Sequence, residues 1–95
     1  MNDTYADLKA KALAEINTLR SYYGQAPLTA VPRGWRCDPR RCPVREALAA
    51  CRVVAVGTER YHRFSTDMPS LPLPLYLIQF VHAIDAGNYP ELEVA

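Results

Sequence analysis

The positions of prolines and glycines constrain the fold of this chain more than any other feature of its sequence. Four of these residues fall between residues 25 and 41, and three prolines follow one another between residues 69 and 74. Proline disrupts a helix beyond its first turn, and glycine commonly stands just after the last helical residue. Helices are therefore expected in only three segments of the chain.

The first two helical segments lie in the amino-terminal half. We predict a helix over residues 4–23, because apolar residues recur there at helical spacing: Tyr5, Leu8, Ala12, Ile16, Leu19 and Tyr23. A short helix is predicted from Pro43 to Ala50 or Cys51. Proline suits the first helical position, where its missing N–H costs nothing, so Cys42 becomes the N-cap residue.

A β-hairpin is expected directly after the short helix. Residues 52–56 are mostly β-branched or apolar, residues 60–64 alternate polar with aromatic side chains, and a Gly-Thr pair between them favours a turn. Two registers fit this pattern. A two-residue turn pairs Val54 with Tyr61, whereas a four-residue loop pairs Val56 with Tyr61.

The third helix is expected near the carboxyl terminus, from Pro74 to Gly87. Its apolar residues form an i, i+3, i+4, i+7 stripe that consists of Leu77, Phe80, Val81 and Ile84. Leu75 and Ile78 fall partly outside this stripe. They either cover the hairpin or form a second contact surface, such as a homodimer interface.

The loop over residues 25–41 is long for so small a protein and needs an anchor. We predict that Trp35 provides it, with the indole buried against the core and its N–H paired. The order of helix, long loop, short helix, β-hairpin and C-terminal helix predicts a small α+β fold. Its size suits a single domain over residues 1–95.

The sequence gives no sign of membrane insertion or secretion. The longest apolar stretch, residues 71–84, is interrupted by prolines and polar residues and is shorter than the roughly 20 residues that a membrane helix requires. Residues 1–7 are polar and acidic, unlike a signal peptide. We therefore expect a cytoplasmic protein without a membrane partner.

The three cysteines are the residues best suited to chemistry. An odd number without a secretion signal argues against a disulfide framework, although Cys37 and Cys42 could pair under oxidation. Cys51 shares a helix face with apolar residues and is expected in the core. Cys42 is the best nucleophile candidate, because a helix N-terminus and nearby arginines would lower its pKa.

Neither an enzyme nor a metal site is strongly indicated by these residues. Nothing in the sequence places a base beside Cys42, so we expect a non-enzymatic protein with no catalytic residue and no cofactor. The alternative is a thiol-reactive or zinc-containing protein centred on Cys42. Its metal ligands would be Cys37, Cys42, Cys51 and His62, whose spacing fits no strong zinc signature.

Positive charge is concentrated in the middle of the chain. The net charge is +1, yet residues 33–63 contain eight arginines against three acidic residues, a local charge of +5. This composition favours an interaction or regulatory protein that binds a partner protein, with nucleic-acid phosphates as the alternative. A GC-rich genome would also favour arginine. The residues expected to project from one continuous partner-binding surface are Arg36, Arg40, Arg41, Arg45, Arg60 and Arg63.

Three segments, VPRGWRCDPRRCPVREALA, VVAVGTERY and FVHAIDAGNYPEL, resemble a group of small actinobacterial and actinophage proteins without a known activity. The shared features are a Trp loop, a Cys-Pro start to a short helix, a V-x-V-G strand end and a closing Asp-Ala-Gly-x-Tyr-Pro turn. The resemblance transfers no catalytic residue. It implies scaffold roles for Trp35, Cys42, Pro43, Gly57, Gly87 and Pro90.

Overall fold

Three α-helices and a three-stranded antiparallel sheet form an α+β fold in a computed structural model, which describes residues 4–64 and 70–94. The predicted order of helix, long loop, short helix, hairpin and helix is confirmed. The elements are α1 (Thr4–Tyr22), α2 (Pro43–Leu48), a 3₁₀ turn (Ala49–Cys51), β1 (Val53–Val56), β2 (Arg60–Arg63), β3 (Ser70–Pro72), α3 (Leu75–Asp85) and a second 3₁₀ turn (Pro90–Leu92).

Helix α1 ends where the glycine after it predicts. Gly24 adopts a left-handed φ of 77°. Its N–H donates to the Ser21 carbonyl at 3.0 Å, and the Gln25 N–H donates to the Arg20 carbonyl at 2.7 Å. This pair of bonds is a Schellman motif, which satisfies the last carbonyls of a helix and is accessible to glycine at little steric cost.

Helices α1 and α3 pack against each other over the core. The predicted α3 stripe is buried: Leu77, Phe80, Val81 and Ile84 face the buried α1 residues Ala12 and Ile16. Glu15 of α1 accepts the Leu77 N–H at 2.9 Å, which caps the start of α3 because Pro74 has no side chain that can. Burial of each large side chain contributes about 1.5–3 kcal/mol.

The two residues at the edge of the α3 stripe have different environments. Ile78 packs against the core cluster, whereas Leu75 is 62% exposed. A homodimer contact through Leu75 stays a prediction. The apolar stretch that contains both residues divides into β3 and α3, and within the described parts of the chain no helix is long and apolar enough to cross a bilayer.

The hairpin uses the longer of the two predicted connections. Val56 pairs with Tyr61, and the Gly57 N–H donates to the Arg60 carbonyl at 2.8 Å across the four-residue loop. A bulge at Val54 interrupts the pairing and leaves that side chain exposed. Residue 54 is therefore not opposite Tyr61, and the two-residue turn is wrong.

A third strand extends the predicted hairpin. The proline-rich segment forms β3, which pairs antiparallel with β2 so that Tyr61 faces Leu71. Proline is compatible with this position because β3 is an edge strand, where the missing N–H of Pro72 costs no ladder bond. Pro69, the first of the three successive prolines, lies outside the described residues.

The anchor predicted for the long loop is wrong. Trp35 is 44% exposed, and Val31 is the loop residue that enters the core. The neighbouring backbone holds the loop instead: the Gly34 N–H donates to the Leu92 carbonyl and the Val94 N–H donates to the Gly34 carbonyl, each at 2.8 Å. These bonds tie the loop to the carboxyl-terminal segment without the indole.

Candidate functional site

A tight loop places Trp35, Arg40 and Arg41 side by side. The Trp35 N–H donates to the Arg41 carbonyl at 2.8 Å, which closes the loop. Inside it, the Asp38 carboxylate accepts the Arg40 N–H at 3.0 Å, and the Asp38 carbonyl accepts the Arg41 N–H at 3.1 Å. The Val56 N–H also donates to the Pro39 carbonyl at 2.7 Å, so the loop backbone is fixed while Trp35, Arg40 and Arg41 are exposed.

Gly34 allows this loop to lie directly against the start of α2. A Cβ at this position would clash with the Arg41 carbonyl oxygen and would stand only 2.6 Å from the nitrogen of Pro43 and 2.7 Å from the carbonyl carbon of Cys42. No residue with a side chain fits such a backbone approach. The loop and the first turn of α2 therefore form the two sides of one concave surface.

This surface, which we name the arginine cleft, has a volume of about 400 Å³. It brings together four arginines, one glutamate and the exposed Trp35. Its lining residues are Arg33, Gly34, Trp35, Arg40, Arg41, Arg45, Glu46 and Val94. The cleft therefore combines positive charge with a flat aromatic surface.

Two of the four arginine side chains of the cleft form hydrogen bonds within the described part of the fold, and two do not. Arg33 donates to the Glu93 carbonyl at 2.8 Å. Arg45 donates to the Val53 carbonyl at 3.2 Å and forms an ion pair with Glu46. The side chains of Arg40 and Arg41 form no hydrogen bond or ion pair with residues 4–64 or 70–94, and both residues are exposed.

The arginine cleft brings together only part of the predicted partner-binding surface. Of its six residues, the cleft contains three: Arg40, Arg41 and Arg45. Arg36 lies 3.7 Å from the Glu93 carboxylate, and Arg60 donates to the Ser70 hydroxyl and carbonyl at 2.7 and 2.9 Å. Arg63 donates to the Cys51 carbonyl at 2.9 Å and stacks 3.9 Å above the ring of Tyr23. Carbonyl groups at the ends of short elements lack backbone partners, and they accept these guanidinium donors.

The environment of the Cys42 thiol does not lower its pKa. Cys42 is the N-cap residue, as predicted, and its sulfur accepts the Arg45 N–H at 3.4 Å. However, it is 4% exposed, and burial raises its pKa more than the backbone N–H groups of Arg45 and Val44 lower it. The expected lowering of the pKa is wrong, because desolvation dominates and the Arg45 guanidinium is directed to other groups.

The four proposed zinc ligands do not form one cluster. Cys51 is 2% exposed in the core, as predicted, and burial raises its pKa. Cys37 is exposed and bonded to Asp85, while His62 is an exposed residue of β2. Within the described residues, no group of three or more His, Cys, Asp or Glu side chains could hold a metal ion, and all three thiols are free.

Cys37 and Cys42 nevertheless border one small cavity of about 200 Å³. Cys37 has a left-handed φ of 59°, and its N–H donates to the Asp85 carboxylate at 2.9 Å. Its thiol donates to the Asp85 carbonyl at 3.6 Å. These bonds stabilise the unusual backbone conformation, so Cys37 serves to attach the loop to the end of α3.

Sequence reasoning missed Trp35 and Arg33 as surface residues of the site. The available signal was local: an arginine stands on each side of the Gly-Trp pair, and a tryptophan between two cations is difficult to bury without also desolvating charge. Comparison of the chain with protein families, curated proteins and solved structures found no match. Its function is therefore inferred from the geometry of the cleft.

Proposed function

We propose that this chain is a non-enzymatic binding protein whose arginine cleft receives an anionic group of a macromolecular partner. The observation that carries this proposal is the position of Arg40 and Arg41, whose guanidinium groups are unengaged beside the exposed Trp35. Guanidinium groups form forked hydrogen bonds with phosphate or carboxylate oxygens. The cleft therefore offers such a group two cations that the fold does not use.

Arg40 and Arg41 are also of little use to the folded chain. They are adjacent like charges, and neither is paired with an acidic residue in the described part of the protein. Exposed side chains without contacts contribute within about 0.5 kcal/mol to stability. Both remain exposed to solvent and available to an anionic partner, which supports a binding role.

The cysteine environments favour binding over thiol chemistry. Cys42 is buried, its pKa is raised, and its sulfur is occupied as the helix cap. A reactive thiol needs the opposite combination of exposure and a lowered pKa. On the resemblance to actinobacterial and actinophage proteins, the partner would belong to a host or phage process.

Retention on immobilised heparin tests the proposal. We expect the wild-type protein to be retained at low salt and released by a moderate increase in ionic strength. The double variant Arg40→Gln/Arg41→Gln should elute much earlier. The control Arg52→Gln/Arg60→Gln removes the same charge outside the cleft and should elute close to the wild type. Equal losses of retention in both variants would mean that retention depends on the total positive charge of the protein and not on the cleft. That result would contradict the proposal.

A further inference from the structure

We infer that the partner is a single-stranded nucleic acid, whose unpaired base stacks on Trp35 while Arg40 and Arg41 bind adjacent phosphates. This inference rests on the proposed function and names the partner of the same cleft. It depends on the combination of a flat aromatic face with free cations, because a nucleotide presents a flat base and a phosphate within one unit.

The environment of Trp35 provides the first support. Its side chain is 44% exposed, and the indole N–H has no partner among the described residues. The loop backbone already holds the tryptophan in position through the bond to Arg41. A preplaced aromatic ring gains about 1–3 kcal/mol from each base that stacks on it.

The charges around the indole provide the second support. Arg40 and Arg41 are free to move toward a ligand, whereas Arg33 and Arg45 are held by backbone carbonyls at the side of the cleft. Each held guanidinium still has further N–H donors. Positive charge therefore lies next to the base-stacking surface, as required for a strand whose phosphates alternate with its bases.

An acidic protein segment fits the cleft less completely. Carboxylate side chains would satisfy Arg40 and Arg41, but they present no extended flat face to the exposed indole of Trp35. The cleft volume of about 400 Å³ lies in the range of sites that hold small planar ligands. A single nucleotide unit uses both features of the cleft.

Duplex DNA fits less well than a single strand. In a duplex the base faces are stacked on each other, so Trp35 could not reach them. The nearest helix, α2, has only six residues, and its buried face contains Val44, Ala47 and Leu48. At less than two turns, it presents few side chains to the base edges of a major groove. The concave cleft favours a flexible strand with exposed bases.

The intrinsic fluorescence of Trp35 tests this inference directly, because the chain contains a single tryptophan. We would titrate the wild-type protein at low salt with an oligothymidine of about ten nucleotides. Base stacking should quench the emission in proportion to binding. The same titration, followed by the anisotropy of a labelled oligonucleotide, gives the affinity of variants that lack the tryptophan.

Variants at Trp35 and variants at Arg40 and Arg41 should change oligothymidine binding in different ways. Trp35→Ala should weaken oligothymidine binding about tenfold or more, and Trp35→Phe should restore part of the affinity. Arg40→Gln/Arg41→Gln should lower the slope of log affinity against log salt by about 1.4, or about 0.7 for each phosphate contact. The control Arg52→Gln/Arg60→Gln should leave quenching intact. Circular dichroism of each variant verifies that it is folded.

Competing ligands separate the two proposals. Polyglutamate that binds as tightly as oligothymidine, with no effect of Trp35→Ala, would overturn the nucleic-acid inference and leave the proposed function standing. Tighter binding of a duplex, or equal binding of free thymidine monophosphate, would also overturn the single-strand assignment. If none of these anions binds and the protein is not retained on heparin, the proposed function fails as well.

Discussion

Arg40 and Arg41 in the cleft and Arg60 and Arg63 on β2 come from the same basic segment, yet their guanidinium groups have different environments. The side chains of the first pair form no hydrogen bond or ion pair within residues 4–64 and 70–94. Arg60 and Arg63 donate to the carbonyls of Ser70 and Cys51, respectively. The concentration of arginine in the sequence therefore includes both side chains that bond within the fold and side chains that do not. The difference depends on whether an unpaired carbonyl is within reach.

Arg20 shows that the structural use of arginine extends beyond the basic segment. From α1, it donates to the Ala26 carbonyl at 2.7 Å and to the Ala47 carbonyl at 2.8 Å. Ala47 lies in the last turn of α2, where carbonyl groups lack helical partners. One guanidinium thus joins α1, the long loop and α2. We refer to Arg20, Arg60 and Arg63 together as the framework arginines.

The largest effect is expected from a change in the wall of the cleft. Gly34→Ala would drive a Cβ into the Arg41 carbonyl and to 2.6 Å from the nitrogen of Pro43. We expect a loss of about 3 kcal/mol in the free energy of unfolding, because backbone cannot yield as a side chain can. In thermal denaturation this is a fall in Tm of about 12–24 °C.

The matched control for that change is Gly24→Ala. Gly24 has a left-handed φ of 77°, but nothing lies within 4 Å of a Cβ built there. Its substitution should cost only the conformational penalty of about 1–2 kcal/mol. Equal losses at the two glycines would mean that Gly34 is not closely packed and that the cleft wall has been misassigned.

The second effect separates the two groups of arginines. Arg63→Ala removes a hydrogen bond to the Cys51 carbonyl and the stacking on Tyr23. We expect the free energy of unfolding, measured by urea denaturation, to fall by about 2 kcal/mol, because a charged donor and a cation–π contact are both lost. Arg63→Lys should be intermediate. Ligand binding by the cleft should be unchanged at temperatures where the variant is folded.

A third effect is the loss of folding stability at alkaline pH, where the charges of the cleft arginines do not change. Burial raises the pKa of Tyr89 to about 12, with smaller contributions from Glu91 and Tyr5. Burial also raises the pKa of Tyr61, and a hydrogen bond with Tyr23 adds to this effect. An unfolded tyrosine ionises near pH 10, so the unfolded chain releases these protons first. The part of the stability that depends on Tyr89 should be constant below pH 10 and fall between pH 10 and 12, after an earlier decline from the Cys42 and Cys51 thiols, whose pKa burial also raises.

Urea denaturation at pH 8 and pH 11 measures this loss, which should be on the order of 1 kcal/mol from Tyr89 alone. Tyr89→Phe removes the ionisable group and should flatten the dependence, although it also loses the bond to the Tyr5 carbonyl at 2.6 Å. Arginine keeps its charge over this range. If the stability of Tyr89→Phe fell between pH 8 and pH 11 by as much as that of the wild type, the fold would not protect Tyr89 from ionisation.

The smallest effect on stability is expected for Arg40→Gln/Arg41→Gln. Neither side chain has a described contact, so the free energy of unfolding should change by less than about 0.5 kcal/mol. Differential scanning fluorimetry beside the heparin measurement would verify this combination of lost binding and retained stability. A large destabilisation would instead place Arg40 or Arg41 among the framework arginines.

The candidate site could be predicted only in part. The basic segment and the exposure of Arg40 and Arg41 follow from composition and from their place in a loop. The burial of Cys42 does not, because its pKa depends on the core that closes over α2. The exposure of Trp35 was missed for a related reason: backbone bonds from Gly34 to the distant carboxyl-terminal segment already anchor the loop.

The sequence by itself determined the local structure of this protein. The Gly24 cap, the Cys42–Pro43 helix start and the α3 stripe depend on φ preferences, missing N–H groups and helical periodicity, all of which act over a few residues. Only the tertiary structure decided that β3 pairs with the hairpin. It also decided which guanidinium groups donate hydrogen bonds to backbone carbonyls. Those outcomes depend on partners that are distant in the sequence, and no local pattern encodes their distance or direction.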